Sequence, residues 1–457
     1  MSQSKVAERV ADGADGVAEL HARYVLTPWV AQSGRRPPTI VRGHGSYLYD
    51  QEGARYLDFS AGLVAVNLGH GHQRVASAIA EQAQRIAYVA PSLGNDQRAA
   101  LARAIVEIAP WTEGGRIFFT TGGGEANEDA IKFARTLTGR HKVLTAYRSF
   151  HGSAPGAGTL TGENRRWPNE PGIPGVVRFF TPFPYRSPFH TRDACEEADR
   201  AIAHLEQILT YEGGQNIAAL LIEPVVGANG VIVYPEGYLA RVRELCDRHG
   251  ILLVFDEVMT GFGRTGEAFA AQRFGVTPDI FTFAKGVTSA YVPLGGVALR
   301  ESLASHFDRH PLPSGHTFSG HPLAMAAGLA ALRAYQDERI FERARTLEGW
   351  LRTRLEALQR KHAVIGETRG VGAFFGIELV SDGEARTPLV AWQGSESLQW
   401  FLNDLLAHGL YVYGRYNVLI VTPPLTIAPE QLDEAFAILD QALSRLSARN
   451  DDATANP

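Results

Sequence analysis

Residues 252–266 read LLVFDEVMTGFGRTG. An apolar run ends on two acids, Asp256 and Glu257, and a glycine-rich turn follows. A short apolar run bounded by a turn reads as a strand buried on both faces, as in a parallel sheet. In open α/β sheets ligands sit beyond the carboxyl ends of the strands. Asp256 is expected at such an end, waiting for a positive or protonated group.

The segments on either side support that sheet. GYLARVRELCDRHG (237–250) carries Leu239, Val242, Leu245, Cys246 and His249 at helical spacing, and Gly250 suits the helix stop. IAALLIEPV (217–225) precedes it as another apolar strand. Strand, helix, strand is a βαβ unit, so the sheet is largely parallel. RIFFTT (116–121), HKVLTAY (141–147), DIFTFA (279–284) and LGGVAL (294–299) are further candidate strands. Past residue 325 the pattern changes to a long helix beginning HPLAMAAGLAALRAYQDE. Antiparallel strands GVGAFFGIELV and LYVYG…NVLIVTPPL follow, then the helix PEQLDEAFAILDQALSRL. The hairpin GSYLYDQEGARYLDFSAG is expected to join this smaller α+β lobe. Residues 1–66 are thus assigned to the small domain, 67–326 to a large α/β domain and 327–457 to the small domain again. Residues 1–18 are expected to be loose and the tail SARNDDATANP frayed.

The 457 residues suffice for more than one lobe, and 45% apolar with 20% charged residues is ordinary globular composition. A net charge of −5 gives no overall attraction to nucleic acid. No apolar run reaches the roughly eighteen residues of a membrane span. The two cysteines, Cys195 and Cys246, exclude a disulfide framework and suit a cytoplasmic location, with Cys246 filling the core. GHGH (69–72) and GHTFSGH (315–321) read as turns, and no metal site is expected.

FFTTGGGEANEDAIKFAR (118–135) is a strand, a glycine-rich turn and a helix. Unpaired N–H groups and the positive dipole end make such a start a phosphate cradle. It has neither the G-K-[ST] of a P-loop nor the spacing of a dinucleotide turn. In FAKGVTSAYVPLGG (283–296), Lys285 ends another apolar strand, where burial favours the neutral, nucleophilic amine. An anion cradle, a strand-end carboxylate and a strand-end amine together meet the needs of pyridoxal 5'-phosphate.

FDEVMTGFGRTG, AKG, GGGEAN, FHG and EPVVGANG resemble the class III aminotransferases, pyridoxal-phosphate enzymes of fold type I, from about Tyr24 to about Leu446. The resemblance implies a mostly parallel seven-stranded sheet flanked by helices, plus a small α+β domain built from both termini. It implies that Lys285 holds the cofactor as an aldimine and shuttles the proton, and that Asp256 pairs with the ring nitrogen. Val258 and Phe150, with His151 beside it, would pack the ring's two sides. Gly123 and Gly124 would bind the phosphate, Glu223 would support Asp256 or the ring hydroxyl region, and Thr317 would reach a neighbouring subunit's phosphate. The enzyme would then be a homodimer with shared sites, or a tetramer. Gly124 stands where the family commonly has Ser, and Phe150 where it commonly has Tyr.

The implied reaction is ping-pong transfer from an amino donor to a 2-oxoacid, with pyridoxamine 5'-phosphate as the intermediate cofactor form. Arg415 resembles the family's mobile arginine that grips a carboxylate. In 4-aminobutyrate transaminases a glutamate parks that arginine; here the position is Ala228, which speaks against that switch. TAYRSFHG, TGENRRW, FPYRSPFH and HARYVLTPW resemble taurine transaminases. Arg148 would then be a second anion-binding residue and Trp29 would line the mouth. Leu63 and Val64 replace the bulky aromatics of amine-accepting relatives. An aminomutase or a dialkylglycine decarboxylase-like enzyme would use the same cofactor residues.

Overall fold

The computed structural model describes residues 16–33, 37–390 and 396–455, with side chains to residue 449. Its centre is a seven-stranded sheet. In chain order the strands are β1 (Gly115–Thr120), β2 (Lys142–Ala146), β3 (Val176–Phe179), β4 (Ile217–Ile222), β5 (Leu252–Asp256), β6 (Ile280–Phe283) and β7 (Gly295–Arg300). Across the sheet they run β1-β7-β6-β5-β4-β2-β3. All pairs are parallel except those of β7, which is antiparallel to both β6 and β1. Every residue of β4, β5 and β6 is buried, as strands covered on both faces require. Six of the seven strands were expected. The seventh, β3, is four residues long and half-buried at the edge, so it carries too little apolar signal to stand out.

The helix Tyr238–His249 crosses between β4 and β5 and ends at Gly250, whose φ of 60° suits a residue without Cβ. Cys246 is buried in the core, but His249 is exposed: the apolar stripe ends one turn earlier than its spacing suggests. The long helical pattern after residue 321 is two helices, Pro322–Asp337 and Ile340–Lys361. The chain turns at Arg339, which has a left-handed φ of 51°. The first helix is buried on nearly all sides, and the second has one buried leucine stripe, so one straight helix could not serve both.

The C-terminal strands Ile365–Val371, Phe374–Asp382, Tyr413–Arg415 and Val418–Val421 form an antiparallel sheet. The N-terminal strands Ile40–His44, Tyr47–Asp50 and Arg55–Asp58 form another, completed by Leu410–Tyr411 from the far end of the chain. The two ends of the sequence are therefore joined by backbone hydrogen bonds. Residues 1–15 of the expected loose terminus lie outside the described residues, and Val17–Tyr24 is helical. The last helix runs Pro429–Ala455, so the expected frayed tail is helical as far as Ala455.

Candidate active site at the strand ends

A cavity of about 370 Å³ opens where β4, β5 and β6 end against the start of helix Gly123–Thr138. Asp256, the last residue of β5, is 4% exposed, and its carboxylate is held from three directions. Asn127 Nδ2 donates to Oδ2 at 2.8 Å, His151 Nδ1 lies 2.8 Å from the same oxygen, and the Val258 N–H donates to Oδ1 at 3.0 Å. The carboxylate thereby keeps the imidazole proton on Nδ1. Asn127 is fixed in turn: it donates to the His151 carbonyl and accepts from Thr282 Oγ1 on β6. The network ties a helix, a loop and two strands to one carboxylate. His151 Nε2 is buried without a partner among the described residues.

Lys285 follows β6 and lines the same cavity. Burial pushes its ammonium down to about 8, against the opposing pull of Asp256 and Glu223. Its φ of 46° is left-handed, an uncommon conformation for a residue with a side chain. Left-handed non-glycine residues recur nearby at Arg148, Ser289 and Ala290. The loop carrying Lys285 is clamped along its length. Tyr335 Oη donates to the Gly286 carbonyl, Thr288 Oγ1 donates to the Val292 carbonyl, and Ser289 Oγ accepts from the Leu68 N–H. Because β7 runs antiparallel to β6, that loop leaves and re-enters the sheet at one edge of the cavity.

Gly122, Gly123 and Gly124 line the cavity at the N-terminus of a 16-residue helix. A Cβ on Gly123 would stand 2.7 Å from Val258 Cγ2, so only glycine lets the helix start meet that wall. Free amides at a helix start, an acid and an amine whose proton burial loosens, all around one cavity, suit pyridoxal phosphate. Glu223 also lines the cavity, but it bonds backbone rather than Asp256: it accepts from the N–H groups of Phe150 (2.9 Å) and Gly227 (2.7 Å). Burial raises its carboxyl to about 7, with His151 opposing.

Phe150, His151 and Val258 are wall residues, whereas Trp29, Arg148, Thr317 and Arg415 are not. Arg148 lies over the Phe183 ring, and burial pushes its guanidinium down to about 10, with Glu378 opposing. Thr317 is exposed, and its carbonyl accepts from Tyr88 Oη. Trp29, 57% exposed, meets the Phe150 ring edge-on at 6.3 Å. Leu63 and Val64 are not in the wall; their neighbour Ala65 is.

Sequence reasoning missed a group just outside this wall. The Arg165 guanidinium carbon lies 3.7 Å from the Phe150 ring centroid, and its Nε donates to Glu163 Oε1. Arg415 Nη2 donates to Glu163 Oε2 at 2.7 Å, and Tyr416 Oη donates to the same oxygen at 2.7 Å. Ala228 notwithstanding, Arg415 therefore has a carboxylate partner, supplied by another loop. The Glu163 side chain is fully buried; burial raises its carboxyl, but Arg165 and Arg415 outweigh this and hold it below its ordinary value. Glu163 and Arg165 lie in TGENRRW, which stood out only as a fingerprint. Asn127 lies in GGGEAN, one helical turn past Gly123 and so on its face.

Among the described residues no group of three or more His, Cys, Asp or Glu is placed to hold a metal, and no helix is long and apolar enough to cross a membrane. Residues 30–443 match the family model for class III aminotransferases. The taurine:2-oxoglutarate aminotransferase of Bifidobacterium kashiwanohense, solved with pyridoxal phosphate and glutamate, is 40% identical with a TM-score of 0.91, covering 94% of this chain and 97% of that one. An aminotransferase from Vibrio fluvialis in its pyridoxamine-phosphate form is 28% identical with a TM-score of 0.90, covering 95% and 99%. The 5-aminovalerate aminotransferase of Pseudomonas aeruginosa is 34% identical over 414 residues, 90% of this chain and 94% of that one.

Proposed function

The chain belongs to the class III aminotransferases, and from that premise we propose that it moves the amino group of an anionic ω-amino acid to a 2-oxoacid. Taurine or β-alanine is the donor in this reading, and 2-oxoglutarate or pyruvate the acceptor, in two successive half-reactions. Pyridoxal phosphate, the family's cofactor, supplies the aldehyde that takes up nitrogen and the ring that accepts electrons from the substrate carbon.

The observation that carries the reading is the paired guanidinium cluster. Arg165 and Arg415 share one carboxylate beside Phe150, which leaves one surplus positive charge next to the cavity. A hydrophobic amine has no use for it, whereas a sulfonate or carboxylate donor shares it with the 2-oxoacid acceptor. Trp29 and Arg165 both meet the Phe150 ring, which lines the cavity. Within the cavity, Asp256, fixed by His151 and Asn127, would hold the cofactor's ring nitrogen in its protonated state. Lys285, neutral above about pH 8, moves the proton at the substrate carbon.

The same reading makes the enzyme a cytoplasmic homodimer whose Thr317 reaches the partner's phosphate. Thr317 is followed by Phe318, 55% exposed and packed on exposed Tyr88, an apolar surface of the kind a second copy covers. The test is a donor–acceptor matrix: taurine, β-alanine, 4-aminobutyrate, putrescine and 1-phenylethylamine against pyruvate and 2-oxoglutarate, scored by the amino acid formed. Turnover is expected with the anionic donors. Turnover of 1-phenylethylamine alone would overturn the reading, and product from donor without acceptor would point to an aminomutase or decarboxylase.

A further inference from the structure

The cavity must serve two kinds of anion in alternation. A 2-oxoacid carries a carboxylate on the carbon that reacts, whereas an ω-amino acid carries its anion at the far end and needs the reacting end uncharged. A fixed arginine would suit only one of them. We propose that Glu163 is a positioning residue that parks Arg415 between half-reactions, and that Arg165 holds Glu163 in place when Arg415 leaves to grip a substrate carboxylate. The proposal rests on the anionic-substrate reading above.

Three observations carry it. The two arginines use different oxygens of Glu163: Arg165 donates to Oε1 and Arg415 to Oε2. Removing one partner from a buried ion pair ordinarily strands a charge. Here Glu163 keeps Arg165 when Arg415 departs, so no carboxylate is left bare. Second, the parked guanidinium is incompletely satisfied. Its bonds to Glu163, Asn164 and Tyr416 all come from Nη2, and its Nε is buried without a partner among the described residues. A substrate carboxylate engaging two nitrogens of the fork would satisfy more of its donors than the parked state does. Third, Arg415 ends a strand of the C-terminal sheet and is followed by Tyr416 at a left-handed φ of 55°, whereas Glu163 precedes the short helix Asn164–Asn169 beside the large sheet. The pair bridges two separate parts of the fold, so its making and breaking need no change within either sheet.

The parked state lowers the apparent affinity for any carboxylate that must capture Arg415. Glu163→Gln keeps the shape and removes the charge that competes. In the pyridoxal-phosphate-loaded enzyme, calorimetry with glutarate, a non-reacting dicarboxylate, should show binding tightened about five-fold or more. The KM for the 2-oxoacid should fall with kcat nearly unchanged, and in an Arg415→Ala background the same substitution should alter neither value. Unchanged glutarate binding, or tightening that persists without Arg415, would overturn the proposal. A purely structural Glu163 would instead weaken glutarate binding and both half-reactions together. Should Glu163→Gln not fold, Glu163→Asp decides: it keeps a charge for Arg165 while drawing back from Arg415, and glutarate should tighten by a smaller factor. Glutarate reads the switch without any donor, so tightened binding in an enzyme inert to taurine and β-alanine would leave the switch standing and overturn only the donor assignment.

Discussion

Asp256, His151 and Asn127 meet from the end of β5, the loop after β2 two strands away and the helix lying on that sheet. Glu163, Arg165 and Arg415 meet from a loop and a distant hairpin, held chiefly by side-chain ion pairs and hydrogen bonds. The first group is fixed by the backbone of a buried sheet; the second is fixed by ion pairs that a substrate can compete for. Chemistry that every substrate needs is placed on the rigid part, and discrimination is left to the part that can rearrange. Substitutions in the cofactor group should therefore damage both half-reactions alike, while those in the charged group should split them.

The largest effect tests the rigid side. Lys285→Ala should bind the cofactor yet lose transamination by about 10⁴-fold with every donor and acceptor; normal single-turnover rates in either direction would remove the lysine from the mechanism. Asp256→Asn should fold and lose about a thousand-fold in kcat, on the order of 4 kcal/mol, equally in both half-reactions. A loss confined to one half-reaction would erase the distinction between the two groups.

The lysine also makes the cofactor-free chain sensitive to pH. Its folded value of about 8 lies below the ordinary 10.5. Between those values the unfolded chain holds a proton that the folded chain has released. Stability therefore rises with pH across that window, and below it burial of the charged form costs about 3 kcal/mol. Urea unfolding of cofactor-free wild type and Lys285→Ala at pH 7.5 and 9.5 should show the balance shift towards wild type by about 2 kcal/mol. A constant difference would mean that the amine is not desolvated. The smallest effect is a gain. A Cβ at Gly124 would meet nothing closer than Gly152 Cα at 3.5 Å, so Gly124→Ser fits, and its hydroxyl adds a phosphate hydrogen bond. Cofactor loss on dialysis should slow about five-fold, about 1 kcal/mol.

The rigid group was legible in the sequence because its residues sit on contiguous patterns. Asp256 ends an apolar run, Lys285 ends the next, and Gly123 opens a helix after another. Asn127 was not legible: a helix-interior asparagine announces nothing until His151 and Asp256 are seen on either side of it. β3 was missed because it is a four-residue edge strand whose apolar residues are interrupted by Arg178. The Glu163–Arg415 pair spans 252 residues, and nothing local to either end encodes it. Ala228 suggested that the arginine had no parking partner, and only the approach of the C-terminal hairpin to the 163–169 turn reveals one. Arg148 was singled out only through the resemblance of TAYRSFHG to taurine transaminases; its side chain lies over Phe183, outside the cavity wall.

The antiparallel course of β7 has a mechanical meaning. In a strictly parallel sheet the chain leaving β6 would have to travel through a helix to the opposite edge before re-entering, and the segment after Lys285 would trail from a single anchorage. Here it is hemmed in at both ends by adjacent strands of one sheet, with Phe283 opposite Gly296. The Lys285 amine is thus mounted on a closed loop, and its recoil is limited by the sheet itself.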